Sequence, residues 1–327
     1  MSDLDNDQLH STDFYFNVDY ANLYCSDPAD VYNYEYEKRK YFFRNLVIKS
    51  RLPEAIDLVG YDASTPYGYG GPCTNIEDEH MLRDVIVDYK RHLKQKGVIA
   101  EFIRFHPFLD SSMFANVLDY YEKEREIVYI NLIGGKEERY KGYSSTTRNI
   151  IRKSYKNLEA RISNNLNRFI ELYTATMQKN KASAFYYFDR TYFEKLLNLE
   201  GCKLLEISYE GNIISMGLFF FQGRVAHYHL SANNYNYSKM NGNYMLLDYA
   251  SEIATNEGCE YFMLGGGRTS AQDDSLLVFK SKFSPHRKDF YIGGIVSYNH
   301  KYNLASTKKV NPNSLDQGNS YFLNYRL

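Results

Sequence analysis

The sequence predicts an α/β fold built from mixed, mostly antiparallel sheets flanked by helices. Three observations support this class. Segments with the 3.6-residue period of helices alternate with short runs rich in β-branched and aromatic residues. Three such runs follow one another in the second half with tight turns between them, as in an antiparallel meander. The chain of 327 residues is long enough for two ordinary domains or one large one.

The first half of the chain is predicted to contain one α/β unit. A strand is expected at 41–49, which is aromatic and β-branched, and a loop at 62–72, where three glycines and two prolines fall within eleven residues. The remaining expected elements are a helix at 77–96, a strand at 98–105, a helix at 113–125 and a strand at 127–133.

The second half is predicted to begin with two helices and continue with the three-stranded meander. After the meander, helices and strands alternate. The expected bounds are helices at 166–181 and 190–199, strands at 203–209, 213–221 and 224–231, a helix at 243–257, a strand at 260–264, a helix at 275–283 and a strand at 289–296.

Composition excludes several classes of protein. The 39 basic and 40 acidic side chains give a net charge of −1, which argues against a dedicated DNA-binding protein. The 33 tyrosines and 20 phenylalanines argue against a disordered chain. The acidic N-terminus is unlike a signal peptide, and the longest apolar run, Ile213–Phe221, is too short to cross a bilayer. We therefore expect a cytoplasmic protein with at most peripheral membrane contact.

Five short phrases, taken with the element order, carry a resemblance to a known family. The phrases are Tyr67–Pro72 (YGYGGP), Phe102–Pro107 (FIRFHP), Arg148–Lys153 (RNIIRK), Leu264–Gly267 (LGGG) followed by Phe279-Lys280, and Phe290–Gly293 (FYIG). The sequence resembles the FemAB-like branch of the GNAT acyltransferase superfamily, which includes the bacterial FemX-type peptidoglycan-bridge transferases. The resemblance implies two tandem GNAT-like subdomains. The N-terminal one, at 1–155 plus 302–327, would lie on the acceptor side, and the C-terminal one, at 156–301, would hold the acyl-transfer site.

Phe279 and Lys280 are the first candidates for catalysis. The resemblance implies that this pair lies at the acyl-transfer site, where a lysine can stabilise the donor or the charge that develops on the carbonyl oxygen. The alternative from spacing alone is a solvated lysine on a short helix.

His227, Tyr228 and His229 are the second group of catalytic candidates. They fall on a predicted strand, so the two histidines face one side and Tyr228 the other. A histidine facing the cleft would suit a general base because its pKa lies near neutral pH. Packing within the sheet is the alternative role. A third metal ligand with suitable spacing is missing, so no metal is predicted.

The segment before the helix at 243–257 is the candidate donor-binding loop. Lys239, Asn241, Gly242 and Asn243 occupy the place where many GNAT enzymes cradle the CoA pyrophosphate on free amides at a helix N-terminus. Tyr244 departs from the family pattern, because it stands where a second small residue is usual. An ordinary capped helix start is the alternative.

The remaining candidates concern the acceptor. In the first subdomain, Tyr67 and Tyr69 suit a sugar or nucleotide face, and Arg104 and His106 suit a phosphate or carboxylate. In the second subdomain, Gly265 and Gly266 are candidates because glycine lets a substrate approach the backbone closely. Asp273 and Asp274 are candidates because their carboxylates could hold the ammonium group of the acceptor.

The resemblance, taken with these candidate residues, implies an N-acyltransferase that moves an acyl group from acyl-CoA to an amine of a cell-envelope glycan or its nucleotide-linked precursor, as in peptidoglycan or polysaccharide biosynthesis. Two alternatives stay open: an aminoacyl-tRNA-dependent FemX-like aminoacyltransferase, and a non-catalytic GNAT-like module that binds a glycan or a protein. The basic run 139–156 could contact CoA, tRNA or a lipid-linked phosphate, or form a solvated helix face.

Overall fold

A computed structural model describes residues 6–308 and 322–326 of the chain. The described residues form two compact units. Unit 1 takes the residues before Thr12, Tyr15–Glu124 and those from Asp289 onward, and unit 2 takes Thr12–Phe14 and Arg125–Lys288. The sequence-based boundary at 155/156 and the acceptor and transfer roles of the subdomains stay predictions, and residues 309–321 and 327 of the expected C-terminal return lie outside the described residues.

Unit 1 combines a set of strands with one long helix. Its strands are β1 Val31–Lys38, β2 Tyr41–Arg51, β3 Tyr61–Ser64, β4 Cys73–Thr74 and β5 Val98–Arg104. Its helices are α1 Asn6–Thr12, whose last residue belongs to unit 2, α2 Val18–Ala21, α3 Glu79–Gln95 and α10 Asn299–Thr307. Leu82, Val85, Ile86, Tyr89 and Leu93 lie on one face of α3 at helical spacing and form its buried side, which packs against the sheet.

The chain passes from unit 1 to unit 2 within β6 (Tyr120–Asn131) and returns within β12 (Arg287–Val296). The unit 1 part of β12 pairs antiparallel with β5, with Gly293 opposite Ile103. In unit 1 the strands lie in the order β1-β2-β3-β5-β12, with β4 beside β2, and β3 and β5 are the parallel pair.

Unit 2 is a mixed sheet with helices on both faces. Its other strands are β7 Glu159–Ile162, β8 Cys202–Tyr209, β9 Asn212–Gln222, β10 Val225–Asn233 and β11 Tyr261–Gly265. Its helices are α4 Gly135–Gly142, α5 Ser145–Asn157, α6 Leu166–Lys179, α7 Arg190–Leu197, α8 Gly242–Asn256 and α9 Ser275–Ser281. The strand order is β6-β11-β10-β9-β8-β7, in which β10 and β11 run parallel.

The core of unit 2 shows why β9 and β10 are so apolar. Phe219 and Phe221 face α8, whereas Phe220 faces the other side and stacks on Phe14 with ring centroids 3.7 Å apart. Both faces of β9 are therefore buried, which explains its nearly continuous hydrophobic run.

Short 3₁₀ helices link the larger elements. They lie at Phe14–Phe16, Asn22–Tyr24, Pro28–Asp30, Glu54–Ile56, Ser112–Phe114, Ala184–Tyr186, Tyr235–Met240 and Asn324–Arg326. Among the described residues, every helix is too short or too polar to cross a bilayer.

Most of the expected elements are present within a few residues of their predicted bounds, and the predicted mixed, mostly antiparallel fold is confirmed. Two expectations were wrong. The helix expected at 113–125 is a 3₁₀ turn at Ser112–Phe114 followed by the long strand β6, because the long-range pairing of β6 in the sheet overrides the helix propensity of its glutamates and lysine. The loop expected at 62–72 begins within β3.

Candidate active site

The candidate site of unit 2 lies where β10 and β11 separate. Among the described residues, their parallel pairing covers only three positions, which end at His227 opposite Met263. Just beyond, the pairing of β10 with β9 is irregular between Tyr228 and Leu230, and the pairing of β11 with β6 is irregular between Met263 and Gly265. Irregularities of this kind bend strands and leave backbone groups unpaired. The two strands thus stop pairing with one another toward their C-terminal ends, which forms an opening in the ladder of backbone hydrogen bonds.

Lys280 lies beside this opening. It belongs to α9, is 6% exposed, and its Nζ atom donates a 2.7 Å hydrogen bond to the carbonyl oxygen of Gly266. The pKa of Lys280 is lowered to about 7, mainly by burial and also by the charge of Arg125, while Asp274 acts in the opposite direction. Near neutral pH, Lys280 therefore exchanges between an ammonium and a free amine.

The glycine loop after β11 is held by side chains on both sides. Arg125 donates to the carbonyl oxygen of Gly267 at 2.6 Å, and a Cβ atom on Gly266 would lie only 2.7 Å from Cδ of Arg125. Asp274 caps α9 by accepting from the amides of Leu276 and Leu277 at 2.9 and 3.1 Å. A Cβ atom on Gly267 would lie 2.6 Å from Oδ1 of Asp274, so the loop needs glycine at both positions.

The carboxylate of Asp274 accepts hydrogen bonds from backbone amides of the loop and of the start of α9. Burial acts to raise its pKa, but backbone amides, including those of Leu277 and Leu276, outweigh burial and lower it. The neighbouring Asp273 is exposed. Gly265 has a φ of +78°, which lies in the left-handed region that favours glycine.

Tyr228 shares the face of Lys280. The Nζ atom of Lys280 lies 5.6 Å from the centroid of the Tyr228 ring, and the Tyr228 hydroxyl contacts Ser231. Burial raises the pKa of Tyr228, so its hydroxyl stays protonated at neutral pH. Phe279 packs edge-on against Tyr244 and Phe283, with centroids 5.2 and 5.4 Å apart. The ring of Phe279 thus packs α9 against α8.

The two histidines lie on the opposite face of the sheet. His227 is buried, and its Nε2 lies 2.7 Å from Oδ2 of Asp13, a residue that also belongs to unit 2. The Nε2 of His229 lies 3.2 Å from the hydroxyl of Tyr192. Burial lowers the pKa of His229 to about 3. The structure therefore does not bring either histidine together with Lys280. The side chain of β10 that lies on the same face as Lys280 is Tyr228.

The expected donor loop leads into α8. Lys239 is exposed on the 3₁₀ helix before it, and Asn241 adopts φ +56° and accepts from the amide of Tyr244 at 3.0 Å. Gly242 is buried, since a Cβ atom there would lie 3.0 Å from Ile214. Asn243 is half-buried at the second position of the helix, where amides have no intrahelical acceptor.

The candidates of unit 1 are tied into their own unit. Tyr69 packs edge-on against Phe290 at 5.2 Å and lies 6.0 Å from His106, which is fully buried. Arg104 donates to the carbonyl oxygen of Thr65 at 3.3 Å.

Tyr67 is also bonded within unit 1: its carbonyl oxygen accepts a 2.6 Å hydrogen bond from the hydroxyl of Tyr20. The acceptor-binding role of Tyr67, Tyr69, Arg104 and His106 stays a prediction.

Sequence reasoning missed two features. Arg125 lies 142 residues before the loop carbonyl that it binds, so no local pattern marks it. The basic run at 139–156 leaves Lys141, Arg152, Lys153 and Lys156 exposed, but the same segment also contributes to a buried cluster: Arg139, Tyr140, Tyr143 and Tyr155 all donate to the buried carboxylate of Asp248.

Residues 145–273 match the family model described as an acetyltransferase (GNAT) domain. No curated protein matches the sequence. Among solved structures, FemX has a TM-score of 0.68 at 12% identity, with 84% of this chain and 90% of that chain covered.

Two further structures share the fold. The C-terminal domain of a putative lysylphosphatidylglycerol synthetase from Agrobacterium fabrum has a TM-score of 0.53 at 14% identity, over 84% of this chain and 87% of that one. L-PGS from Bacillus licheniformis has a TM-score of 0.53 at 15% identity, over 82% and 84%.

These matches confirm the predicted resemblance and support the expected acyl- or aminoacyltransferase class. The chain shares the fold of FemX, and the match to a GNAT acetyltransferase domain lies within unit 2.

Proposed function

We propose that the protein is an N-acyltransferase that moves an acyl group from acyl-CoA to an amine of a cell-envelope glycan or its nucleotide-linked precursor. The observation that carries this proposal is the buried amine of Lys280 at the opening between β10 and β11. The match of residues 145–273 to an acetyltransferase domain supports the reaction class.

The reaction needs a place for negative charge. When the acceptor amine attacks the thioester carbonyl, a carbon–nitrogen bond forms and the carbonyl oxygen becomes an oxyanion. The carbon–sulfur bond then breaks, the thiolate leaves, and the amine loses a proton. An ammonium in a water-poor site stabilises the oxyanion far more than it would in bulk water. Lys280 in its charged form supplies that group, and the Tyr228 hydroxyl, which burial keeps protonated, is a second donor on the same face.

The donor phosphates would bind at the start of α8. The amides of Gly242 and Asn243 are among the first of the helix, where the helix dipole favours an anion. Lys239, which is exposed just before the helix, adds a positive charge. Asn241, in the left-handed region, turns the chain into the helix.

An aminoacyl donor is the second candidate. Tyr244 stands at the position of the donor loop where a second small residue is usual, and its ring is buried against Phe279 and Phe283, so the loop departs from the CoA-binding pattern of GNAT enzymes. The name lysylphosphatidylglycerol synthetase, carried by a structure of the same fold, denotes the transfer of a lysyl group. In this case Lys280 keeps its role, because the ester carbonyl also becomes an oxyanion.

A donor comparison tests the proposal. The protein is incubated with an amino-sugar nucleotide and either acetyl-CoA or aminoacyl-tRNA, and the product is read by its mass. We expect product with acetyl-CoA, and a loss of kcat by about 100-fold in Lys280→Met, as for the removal of one oxyanion donor. Lys203→Met, which removes an ion-paired surface lysine of unit 2, is the matched control and should keep its activity. No product with either donor would contradict the proposal.

A further inference from the structure

A loop between α6 and α7 presents aromatic side chains at the surface of unit 2. Phe185 is 52% exposed and Tyr187 is 43% exposed. Their neighbours anchor the loop: the carbonyl oxygen of Tyr186 accepts from the hydroxyl of Tyr173 at 2.9 Å, and the ring of Phe188 stacks on Tyr192 with centroids 4.2 Å apart. These contacts hold the loop on the unit, while Phe185, whose ring packs edge-on against Tyr186 and Phe188, and Tyr187 remain about half exposed.

The charge around these rings is positive. No acidic residue occurs from 172 to 188, whereas Lys179 and Lys181 are both present and exposed. Asp189, the next acidic residue, caps α7 by accepting from the amide of Tyr192 at 2.7 Å. Lys181 has a φ of +49°, a backbone conformation that glycine usually adopts at the end of a helix. A positively charged lysine therefore occupies a position at which any residue other than glycine is disfavoured.

The loop before α8 joins the same surface. The Nζ atom of Lys179 lies 3.2 Å from the centroid of the Tyr235 ring, and the amide of Asn233 donates to the hydroxyl of Thr176 at 3.4 Å. From 229 to 247 this second segment also lacks acidic residues. The aromatic–basic surface, defined as Lys179, Lys181, Phe185, Tyr187 and Tyr235, therefore draws on two acid-free segments.

We propose that the aromatic–basic surface docks the protein on an anionic lipid surface. Exposed aromatic rings favour the boundary between headgroups and acyl chains, and nearby lysines are attracted to negatively charged headgroups. Phe185 and Tyr187, which are both about half exposed on one loop, fit contact with such a boundary. A site for single-stranded RNA would instead need a basic groove with open ring faces, whereas the face of Tyr235 is covered by Lys179.

This surface goes beyond the proposed acyl transfer and does not depend on it. Its effect would be to concentrate the protein where membrane-held acceptors are present. The two proposals can therefore fail separately: the docking surface is read from vesicle binding, and acyl transfer is read with a water-soluble acceptor.

Vesicle sedimentation tests the proposal with the full chain. We expect the wild type to bind vesicles that contain phosphatidylglycerol and not vesicles of phosphatidylcholine alone. Phe185→Ser/Tyr187→Ser and, separately, Lys179→Gln/Lys181→Gln should each weaken binding by about tenfold or more, given that a single lysine near an anionic surface contributes about fivefold. Lys153→Gln/Lys156→Gln on α5 and Ile162→Ser, another exposed apolar residue, are the controls and should bind like the wild type.

Three results would overturn the proposal. The first is a wild type that does not bind the anionic vesicles. The second is an equal loss of binding in the control variants. The third is a loss of binding to a single-stranded RNA oligonucleotide in the loop variants while their vesicle binding is unchanged. Thermal unfolding checks that each variant is folded. If the variant with both aromatic residues replaced does not fold, the vesicle binding of the variant with both lysines replaced decides whether the proposal holds.

Discussion

The amine of Lys280 is hydrogen-bonded at 2.7 Å to the carbonyl oxygen of Gly266, the first residue after β11. A buried cation is thus held by a neutral backbone group, beside a second cation, Arg125, on the next carbonyl of the loop. Such an arrangement disfavours the charged form of the lysine. It therefore lowers the pKa of Lys280 and reduces the free energy of unfolding of the protein.

Replacing Lys280 with Met should stabilise the protein at neutral pH. Burial lowers the pKa of Lys280 from its usual 10.5 to about 7, so between these values the folded state binds fewer protons than the unfolded state. The wild type therefore gains stability as pH rises from about 7 to 10.5, and the penalty is full at lower pH. We expect Lys280→Met to raise the free energy of unfolding at pH 7 by about 2 kcal/mol. Urea unfolding at pH 6, 7.5 and 9 measures this, and a gain that does not shrink with rising pH contradicts it.

Gly266→Ala should disturb the loop. The added Cβ would lie 2.7 Å from Cδ of Arg125 and 2.9 Å from the backbone oxygen of Glu126, so the loop must move. The expected loss is about 2 kcal/mol in the free energy of unfolding, as for overpacking. Gly142→Ala is the control, because its nearest neighbour would be 3.6 Å away, and it should gain about 0.5 kcal/mol. Equal effects of the two changes in urea unfolding would contradict this account.

Asp248 should be essential for attaching α4 and α5 to α8. It accepts from Tyr143 and Tyr140 at 3.0 Å, and Arg139 lies on the same carboxylate. Asp248→Ala leaves a buried arginine without its counter-ion, which should cost about 4 kcal/mol. Tyr143→Phe removes one hydrogen bond and should cost about 1 kcal/mol. Chemical denaturation measures both, and a loss of less than 1 kcal/mol in Asp248→Ala would show that the cluster is not structural.

Glu101 should give unit 1 a stability that falls with rising pH. It is fully buried and accepts from Asn45 at 2.8 Å and Tyr89 at 2.7 Å. Burial raises its pKa from 4.5 to about 7, so the folded state binds more protons than the unfolded state between these values and stability is lost as pH rises through them.

Glu101→Gln should therefore add about 2 kcal/mol at pH 8 and little at pH 5. Thermal unfolding at the two values decides. A gain that is the same at both pH values contradicts the assignment.

The sequence predicted the elements whose pattern is local. The spacing of Leu82, Ile86, Tyr89 and Leu93 gave α3, and the turns around Gly211 and Gly223 gave the three-stranded meander. It failed at the first half of β6, because what makes this segment a strand is pairing with strands that lie far away along the chain.

The site was predictable to the same extent. A period of two showed that the histidines and Tyr228 face opposite sides, but only the placement of α9 shows that Lys280 lies with Tyr228. Arg125 and Asp248 act through contacts more than 90 residues apart in sequence, which no spacing rule can show.

The pH dependence of kcat tests the role of Lys280 most directly. If the charged form stabilises the oxyanion, kcat of the wild type with the donor and amino-sugar acceptor should fall above a pKa of about 7. Lys280→Arg stays charged throughout this range, so its falling limb should be absent even if its rate is lower. A wild-type kcat that rises through pH 7, or a falling limb that persists in Lys280→Arg, would contradict the account.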